Sequence, residues 1–500
     1  MPKMFLIKLV TVICLAACAS QPQTPAHEWG KTTQSDLKIA HQMMQENHPG
    51  AMDVQNPDFN KTADKSFDNA MKMAIGVTSQ AGYAATMLAY TSGFRDGHFG
   101  VYATAQNTGE APINWPGMLP AWRADSVRIA HAEPEESHLL GAEMLSCDGR
   151  KPSDLIRENV FQFNSGKPSQ ESYWARYAHS LFLDRENPLM SRPDKCDFHL
   201  TSGETITHVL KWRRAPNRVF SSLRLKAAFG ARPSIGMEEM SPGNFWINLP
   251  EFSPNDEGIR QYRALFTQII NRREEMQNAK SIVFDMRGNR GGSGAWGLEM
   301  IEALWGEDYF KAQSTEDNSY VEWRLSKENV EHLDWIVNYL IENGQEDLAD
   351  EYVRPIQKGA LKAYAEGKDF YRESEANNNE TNVNNDKSAK DVTKPNNPVK
   401  TPTYVLTHGS CASACLDFVD LLFDMGGVTH IGYPTGSDTN YMEVREVKLP
   451  SGLATMTIPT KVYRNRSRPS GAFYEPVHRY DGFDWSNKAI HDWAKTIIER

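Results

Sequence analysis

Residues 410–418 have the sequence Ser-Cys-Ala-Ser-Ala-Cys-Leu-Asp-Phe, after a short apolar run and before an apolar segment of helical periodicity. This pattern predicts a strand, a tight turn and a helix, with Ser413 at the helix N-terminus. Free backbone N–H groups and the helix dipole favour a developing negative charge there. The N–H of Ala414 can help to hold an oxyanion at this place. Ser413 is therefore a candidate nucleophile, although a serine that only caps the helix would give the same pattern.

A second informative segment, residues 285–292, has the sequence Asp-Met-Arg-Gly-Asn-Arg-Gly-Gly and follows a predicted buried strand at 281–285. Its glycine spacing does not fit a dinucleotide-binding loop, and no Gly-Lys-Ser/Thr follows as it would in a phosphate-binding loop. Consecutive glycines let another backbone approach closely, which suits a peptide substrate or an oxyanion donor. A plain strand-to-helix turn is the alternative.

The third segment, residues 93–98, has the sequence Gly-Phe-Arg-Asp-Gly-His and follows a predicted helix. His98 is set between glycines on a loop, and catalytic groups are often carried on such loops. A surface histidine without a catalytic role is the alternative.

Together, the three segments resemble the C-terminal-processing (tail-specific) serine peptidases. The family motifs Asp-Gly-His, Asp-Leu-Arg-Gly-Asn-x-Gly-Gly and Ser-Ala-x-Glu-Asp-Phe are similar to residues 96–98, 285–292 and 413–418, in the same order. The sequence looks closest to the histidine-base branch with the tricorn core and the retinoid-binding-protein-like peptidases, over roughly residues 35 to 480 apart from one insertion. The resemblance implies an α/β fold: a crotonase/ClpP-like catalytic core with a helical N-terminal subdomain and a PDZ-like β-rich domain.

The resemblance also implies a base and an orienting acid. Segment 432–438, which matches the place of the lysine in the Ser–Lys branch, contains no lysine, so His98 is the expected base. A histidine base usually has an acid that fixes its tautomer. Residues 471–476 fit the family's Gly-x-x-x-Glu context before a proline, which makes Glu475 the expected orienting acid. Asp96 is the rival, and an exposed loop carboxylate is the other interpretation of Glu475.

The expected oxyanion donors are the backbone N–H of Ala414 and one from Gly291 or Gly292. One departure from the family is Leu416, which stands where the motif has a glutamate. The sequence therefore predicts a serine-type endopeptidase that forms an acyl-enzyme and acts on peptide or protein substrates without a cofactor. The alternatives are a catalytically inactive relative that binds peptides or another ligand, and an esterase that uses the same site.

The N-terminus predicts a lipoprotein. A basic start and a short apolar stretch lead to Leu-Ala-Ala-Cys at residues 15–18. This stretch is too short for a stable transmembrane helix and is typical of a signal peptide. We expect residues 1–17 to be removed, Cys18 to be lipidated and residues 18–29 to form a tether. Ala19 resembles the outer-membrane sorting pattern, which predicts a lipid-anchored protein of the bacterial cell envelope at the outer membrane, facing the periplasm. An ordinary signal peptide cut nearby is the alternative.

The chain is too long for a single core. The predicted units are a helical N-terminal subdomain with the His98 loop (30–109), a PDZ-like β-rich domain (110–220), the first part of the catalytic core (221–306), a helical insertion (307–373), an Asn-rich disordered linker (374–400) and the second part of the core with the nucleophile (401–500). Residues 140–150 match the PDZ pattern loosely, and a plain β-hairpin is the alternative. The insertion and linker are interpreted as a tolerated insertion, with a lid as the alternative.

Charge and cysteine content complete these expectations. The net charge of −10 gives no sign of a basic surface for nucleic acid. Of the cysteines left after processing, Cys147 and Cys196 fall in one predicted domain and are able to pair in an oxidising compartment. Cys411 and Cys415 have no histidine or cysteine partners nearby, so no metal site is expected. We interpret Cys415 as a small residue of the helix core, with a cysteine nucleophile as a minor alternative.

Overall fold

The computed structural model describes residues 28–314, 319–373 and 395–499. The predicted signal peptide, the lipidation site Cys18, most of the tether and most of the Asn-rich linker lie outside these ranges. No helix in the described ranges has the length and apolar character that a membrane span requires.

A mixed six-stranded sheet forms the centre of the α/β fold. Its strands, in spatial order, are His478–Arg479, Val428–Gly432, Thr403–Thr407, Ser281–Asp285, Asn244–Asn248 and Gly236–Ser241. The first five run parallel, and the last is antiparallel to its neighbour. The helices of this part are Asp256–Asn271, Arg273–Gln277, Ala295–Trp305, Glu307–Ser314, Ala414–Met425 and Asn487–Ile498.

Both faces of this sheet are covered, which explains the continuous apolar run at 281–285. Ile282 and Phe284 pack into one core cluster, whereas Val283 packs into the cluster on the opposite face. Successive side chains of a strand point to opposite faces, and a parallel strand buried on both sides is apolar throughout. The strands Ser281–Asp285 and Thr403–Thr407 are parallel neighbours, so the segments that follow them meet at the same edge of the sheet.

The N-terminal helices Trp29–Asn47, Phe59–Ala74 and Gln80–Ser92 share a core with strands from distant parts of the chain. That second sheet contains the strands Gly100–Ala103, Ala454–Arg464, Tyr320–Arg324, Phe370–Arg372 and Tyr441–Lys448. Two of them come from the segment predicted as a helical insertion, which also has the helices Lys327–Glu342, Glu346–Leu348 and Arg354–Ala365. The insertion is thus joined to the sheet by strand pairing, a feature that its helical pattern did not predict.

The β-rich region is an antiparallel sheet of strands Met118–Arg123, Ser126–Ala132, Glu143–Cys147, Lys195–His199 and Thr205–Val209. A smaller pair, Pro112–Trp115 with Arg213–Pro216, and the helices Pro152–Asn159, Glu171–Tyr177 and Phe220–Phe229 accompany it. Cys147 and Cys196 stand opposite each other on neighbouring strands and form a disulfide, a pairing that the sequence allowed.

Candidate active site

Ser413 lies in a strained turn between the strand Thr403–Thr407 and the helix Ala414–Met425. Its φ and ψ are 56° and −135°, and its side chain makes no capping hydrogen bond. The helix-cap alternative is therefore not what the structure contains. A positive φ on a non-glycine residue costs free energy and persists only where the surroundings impose it. Ser413 is also partly exposed, so the hydroxyl is accessible to a substrate.

A disulfide spans this turn, which corrects the expectation for Cys415. Cys411 and Cys415, both fully buried, are bonded to each other. Cys415 is thus a cross-link and not merely a small core residue. A nucleophilic cysteine needs a free thiolate, so the bonded pair offers no such nucleophile in this state.

The Gly-Gly segment packs directly against Ser413. A Cβ added at Gly291 would lie 2.7 Å from Ala412 O and 2.7 Å from Ser413 Cβ. Gly291 and Gly292 have φ of 94° and 136°, in the region that favours glycine. The glycines therefore allow an approach between two backbone segments that any side chain would prevent.

Of the two predicted glycine donors, Gly291 already donates its backbone N–H to a side chain. Asn289 Oδ1 accepts a hydrogen bond from it at 2.9 Å. Asn289 is itself fixed, because its Nδ2 donates to Leu249 O at 2.9 Å. In the described ranges we find no hydrogen-bond partner for the N–H of Ala414 or of Gly292. These two groups remain as donors for an oxyanion.

His98 forms a close pair with Asp96 on the predicted loop. Asp96 Oδ1 accepts the backbone N–H of His98 at 2.8 Å and lies 3.5 Å from its Nδ1. Burial by itself lowers the pKa of His98, but the hydrogen bond and charge of Asp96, together with the charges of Asp438 and Glu443, raise it above its usual value. Burial likewise opposes ionisation of Asp96, yet its interactions with His98 and His48 lower its pKa. The pair thus favours a charged imidazolium next to a carboxylate.

Asp438 connects the histidine loop to the serine turn, and sequence reasoning missed it. Its Oδ2 accepts the backbone N–H of Ser413 at 2.7 Å, and its charge acts on His98. The adjacent Thr439 donates from Oγ1 to Asp96 Oδ2 at 3.0 Å. The sequence offered one signal, since Asp438 is the lone carboxylate of segment 432–438. Ser413 and His98 themselves share no hydrogen bond in the described structure, and catalytic hydrogen bonds often tighten only when substrate binds.

The model of peptidase family S41 matches residues 246–472, a segment that includes the Gly-Gly loop and Ser413. This part of the chain, residues 246–472, belongs to peptidase family S41. It is accordingly a serine-type peptidase. No curated protein matches the sequence.

Solved structures show the same fold as this S41 chain. Mature CPAF in complex with lactacystin is 15% identical, has a TM-score of 0.60, and the match covers 94% of this chain and 98% of that one. A second structure of mature CPAF is 14% identical with a TM-score of 0.60, and the match covers 94% of this chain and 97% of that one. At this level of identity the likeness concerns the fold alone.

The structure does not bring Glu475, the expected orienting acid of this S41 peptidase, to His98. Glu475 is exposed, and the charges that act on it are those of Arg479 and Glu171. The carboxylate in contact with the histidine is that of Asp96. Sequence context alone could not decide between the two, because a motif does not say which way its loop turns.

Leu416 is fully buried in the catalytic core cluster. The position that carries glutamate in the family motif therefore serves packing in this chain. It contributes no charge to the site.

One cluster of three side chains in the described ranges has ligand atoms close enough together to hold a metal ion. Glu136, His138 and His208 in the β-rich region place their ligand atoms within 4.8 Å of one another. His208 Nε2 lies 3.0 Å from Glu136 Oε2, and burial lowers the pKa of His208 and so opposes a charged pair. None of the three contributes to the Ser413 turn.

Proposed function

We propose that this protein is a serine endopeptidase of the bacterial cell envelope, with Ser413 as nucleophile and His98 as base. The observation that carries the proposal is the strained, uncapped Ser413 held against Gly291. A serine in that conformation has no evident structural use, since its hydroxyl makes no capping bond. Strain of this kind is commonly retained at functional sites.

In the proposed reaction, Ser413 Oγ attacks the carbonyl carbon of a peptide bond while His98 takes the hydroxyl proton. The N–H groups of Ala414 and Gly292 donate to the oxyanion. The C–N bond then breaks, and His98 gives its proton to the departing amine. Water attacks the acyl carbon, passes a proton to His98, and the ester bond breaks as Ser413 regains its hydroxyl proton.

Asp96 orients His98 in this scheme, in place of Glu475. A carboxylate beside the imidazole holds one tautomer and stabilises the imidazolium that forms. Asp438 has a positioning role, because it holds the backbone N–H of Ser413 and adds negative charge near the histidine. We assign the sheet that carries the nucleophile to a crotonase/ClpP-like core and the β-rich region to a PDZ-like domain.

Proteolysis of casein tests the proposal, with the protein lacking residues 1–18. We expect the wild type to cleave casein, and Ser413→Ala and His98→Ala to lose cleavage while they keep the wild-type thermal unfolding. Cleavage that survives His98→Ala would exclude it as the base. If no form cleaves any unfolded protein, a peptide-binding role without catalysis is favoured. Turnover of small esters without cleavage of any matched peptide would favour the esterase.

The envelope location rests on the N-terminal sequence and has its own test. We propose cleavage before Cys18 and lipid attachment there, at the outer membrane facing the periplasm. The full chain produced in a Gram-negative host should incorporate labelled palmitate and sediment with outer-membrane vesicles. Cys18→Ser should abolish labelling. Labelling that persists in this variant would place the modification elsewhere.

A further inference from the structure

A cavity of about 490 Å³ lies beside the Gly-Gly loop. Arg290, which precedes Gly291 in sequence, lines it. The other walls come from helix Gln80–Ser92, from residues that end and follow helix Glu171–Tyr177, and from helix Phe220–Phe229. The cavity is therefore formed by all three regions of the fold next to the serine turn.

Four arginines line this cavity: Arg176, Arg185, Arg224 and Arg290. Its lining contains no aspartate or glutamate. In the part of the chain that the structure describes, none of the four forms an ion pair. Arg185 Nη1 donates to Gln106 O at 2.9 Å, and Arg224 Nη2 donates to an amide oxygen at 2.6 Å.

Several buried arginines elsewhere in this acidic chain have carboxylate partners, although buried Arg123 donates only to backbone carbonyls. Arg287 contacts Asp285 at 2.6 Å. Arg464 contacts Asp53 at 2.7 Å, and Arg468 contacts Asp420 at 3.1 Å. The cavity instead gathers three half-buried arginines and the exposed Arg290 without a carboxylate among them.

The arginines repel each other in two pairs, Arg176 with Arg290 and Arg185 with Arg224. The charge of Arg176 and then burial lower the pKa of Arg290. Burial and the charge of Arg185 lower the pKa of Arg224 to about 10. Like charges held together without counter-ions cost free energy, and a bound anion would remove that cost.

A buried histidine adds a free polar atom to the same cavity. His179 is 8% exposed, and its Nδ1 has no hydrogen-bond partner in the described ranges. Burial and the nearby charges of Arg224 and Arg290 lower its pKa to about 3, so the ring is neutral. A neutral imidazole ring can donate one N–H to a bound anion and does not have to take up a proton to do so.

We propose that this cavity binds carboxylates of the peptide substrate, so that the peptidase prefers acidic segments beside the cleaved bond. The inference rests on the proposed function. Arginine forks match carboxylates with two hydrogen bonds. The apolar wall of Ala81, Ala84, Leu88 and Phe163 accommodates the stems of such residues. Arg290 directly precedes Gly291, which packs against the serine turn, and the charge of Arg176 acts on Arg290.

Binding of uncleaved peptides tests the inference, with the Ser413→Ala protein lacking residues 1–18. The probes are two fluorescein-labelled peptides of equal length, one rich in glutamate and one with glutamine at the same positions. We expect fluorescence anisotropy to show at least about tenfold tighter binding of the acidic peptide at low salt. That preference should shrink as NaCl is added, because salt screens charge. Equal binding of the two peptides at low salt would overturn the inference.

Variants locate the site. Arg176→Gln with Arg290→Gln should abolish the preference, whereas Arg260→Gln with Arg263→Gln, an equal change of charge on an exposed helix, should leave it intact. Because like charges are removed, the double variant should unfold at or above the parent temperature. An unchanged preference in the folded double variant would overturn the site assignment. The salt arm of the experiment needs no variant, so the inference stays testable if the double variant fails to fold.

Two further comparisons complete the test. The first distinguishes a C-terminal carboxylate from side-chain carboxylates, and the second distinguishes failure of the cavity proposal from failure of the peptidase proposal. Peptides with an amidated C-terminus should lose affinity if the terminal carboxylate is bound, and keep it if side chains are bound. Either result supports a carboxylate site. Casein cleavage without acidic preference would refute the cavity and keep the peptidase. Acidic preference without any cleavage would refute the peptidase and keep the cavity.

Discussion

Replacement of Gly291 by alanine should disable the site without unfolding the protein. The new Cβ would lie 2.7 Å from Ala412 O and from Ser413 Cβ, and 3.2 Å from Ala414 N. Ordinary contacts of such atoms are roughly 3.5–4.0 Å, so the serine turn would have to retreat by about 0.8 Å. A misplacement of about 1 Å can cost on the order of 100-fold in rate. We therefore expect kcat to fall about 30- to 100-fold.

The same substitution should also cost some stability, because Gly291 has a φ of 94°. A left-handed conformation costs an alanine about 1–2 kcal/mol, which a folded domain normally tolerates. Initial rates on casein and thermal unfolding would be measured on the same preparation. We expect a modest decrease in Tm together with the large decrease in kcat.

Gly294→Ala is the matched control in the same loop. Nothing lies within 4 Å of a Cβ at Gly294, and its φ of −64° is open to alanine. Its activity should stay within about twofold of wild type. A folded Gly291→Ala protein with near wild-type kcat would refute the close approach of the two segments. An equal loss in Gly294→Ala would show that any change in the loop is harmful.

Three further predictions concern charge and cross-linking. In the wild type, kcat should fall as the pH drops below a value above 6.5, because the raised pKa of His98 keeps the base protonated at lower pH. Asp96→Asn should move this fall to lower pH and reduce kcat on the order of 1000-fold. Arg287→Ala should destabilise the fold by about 3–5 kcal/mol in urea unfolding, since it leaves a carboxylate buried without its partner. Cys411→Ser with Cys415→Ser should cost about 2 kcal/mol, the value for a short closed loop, and should lower casein cleavage.

Each of these has a control and a contrary result. Arg260→Ala breaks an exposed pair and should leave the urea midpoint unchanged; an equal loss there would contradict the special cost of the buried pair. Cys147→Ser with Cys196→Ser opens a loop of sequence separation 49 and should cost about 4 kcal/mol without a specific loss of kcat. A pH limb that stays in place in Asp96→Asn would contradict the role of that carboxylate.

Local patterns predicted much of this site. The apolar runs at 281–285 and 403–407 form strands, and the helix after Ser413 begins at Ala414. These features follow from short-range properties, namely the period of apolar residues and the places where glycine permits a turn. For the same reason the sequence pointed to Gly291 as a point of close approach before any contact was known.

The contacts between distant segments could not be predicted in this way. The acid beside His98 is Asp96 and not Glu475, Asp438 holds the N–H of Ser413, and the N–H of Gly291 is occupied by Asn289. Each depends on how loops far apart in sequence turn toward one another, which no local period records.

The sequence by itself determined the strand, turn and helix that present Ser413 and the glycine-rich turn after residue 285, because those features depend on near neighbours along the chain. Only the tertiary structure decided that strands from the insertion and from residues 441–464 complete the sheet under the N-terminal helices. It also decided that four arginines converge without counter-ions on one cavity. Such convergence is a property of packing in space, where charges and backbones from distant segments meet.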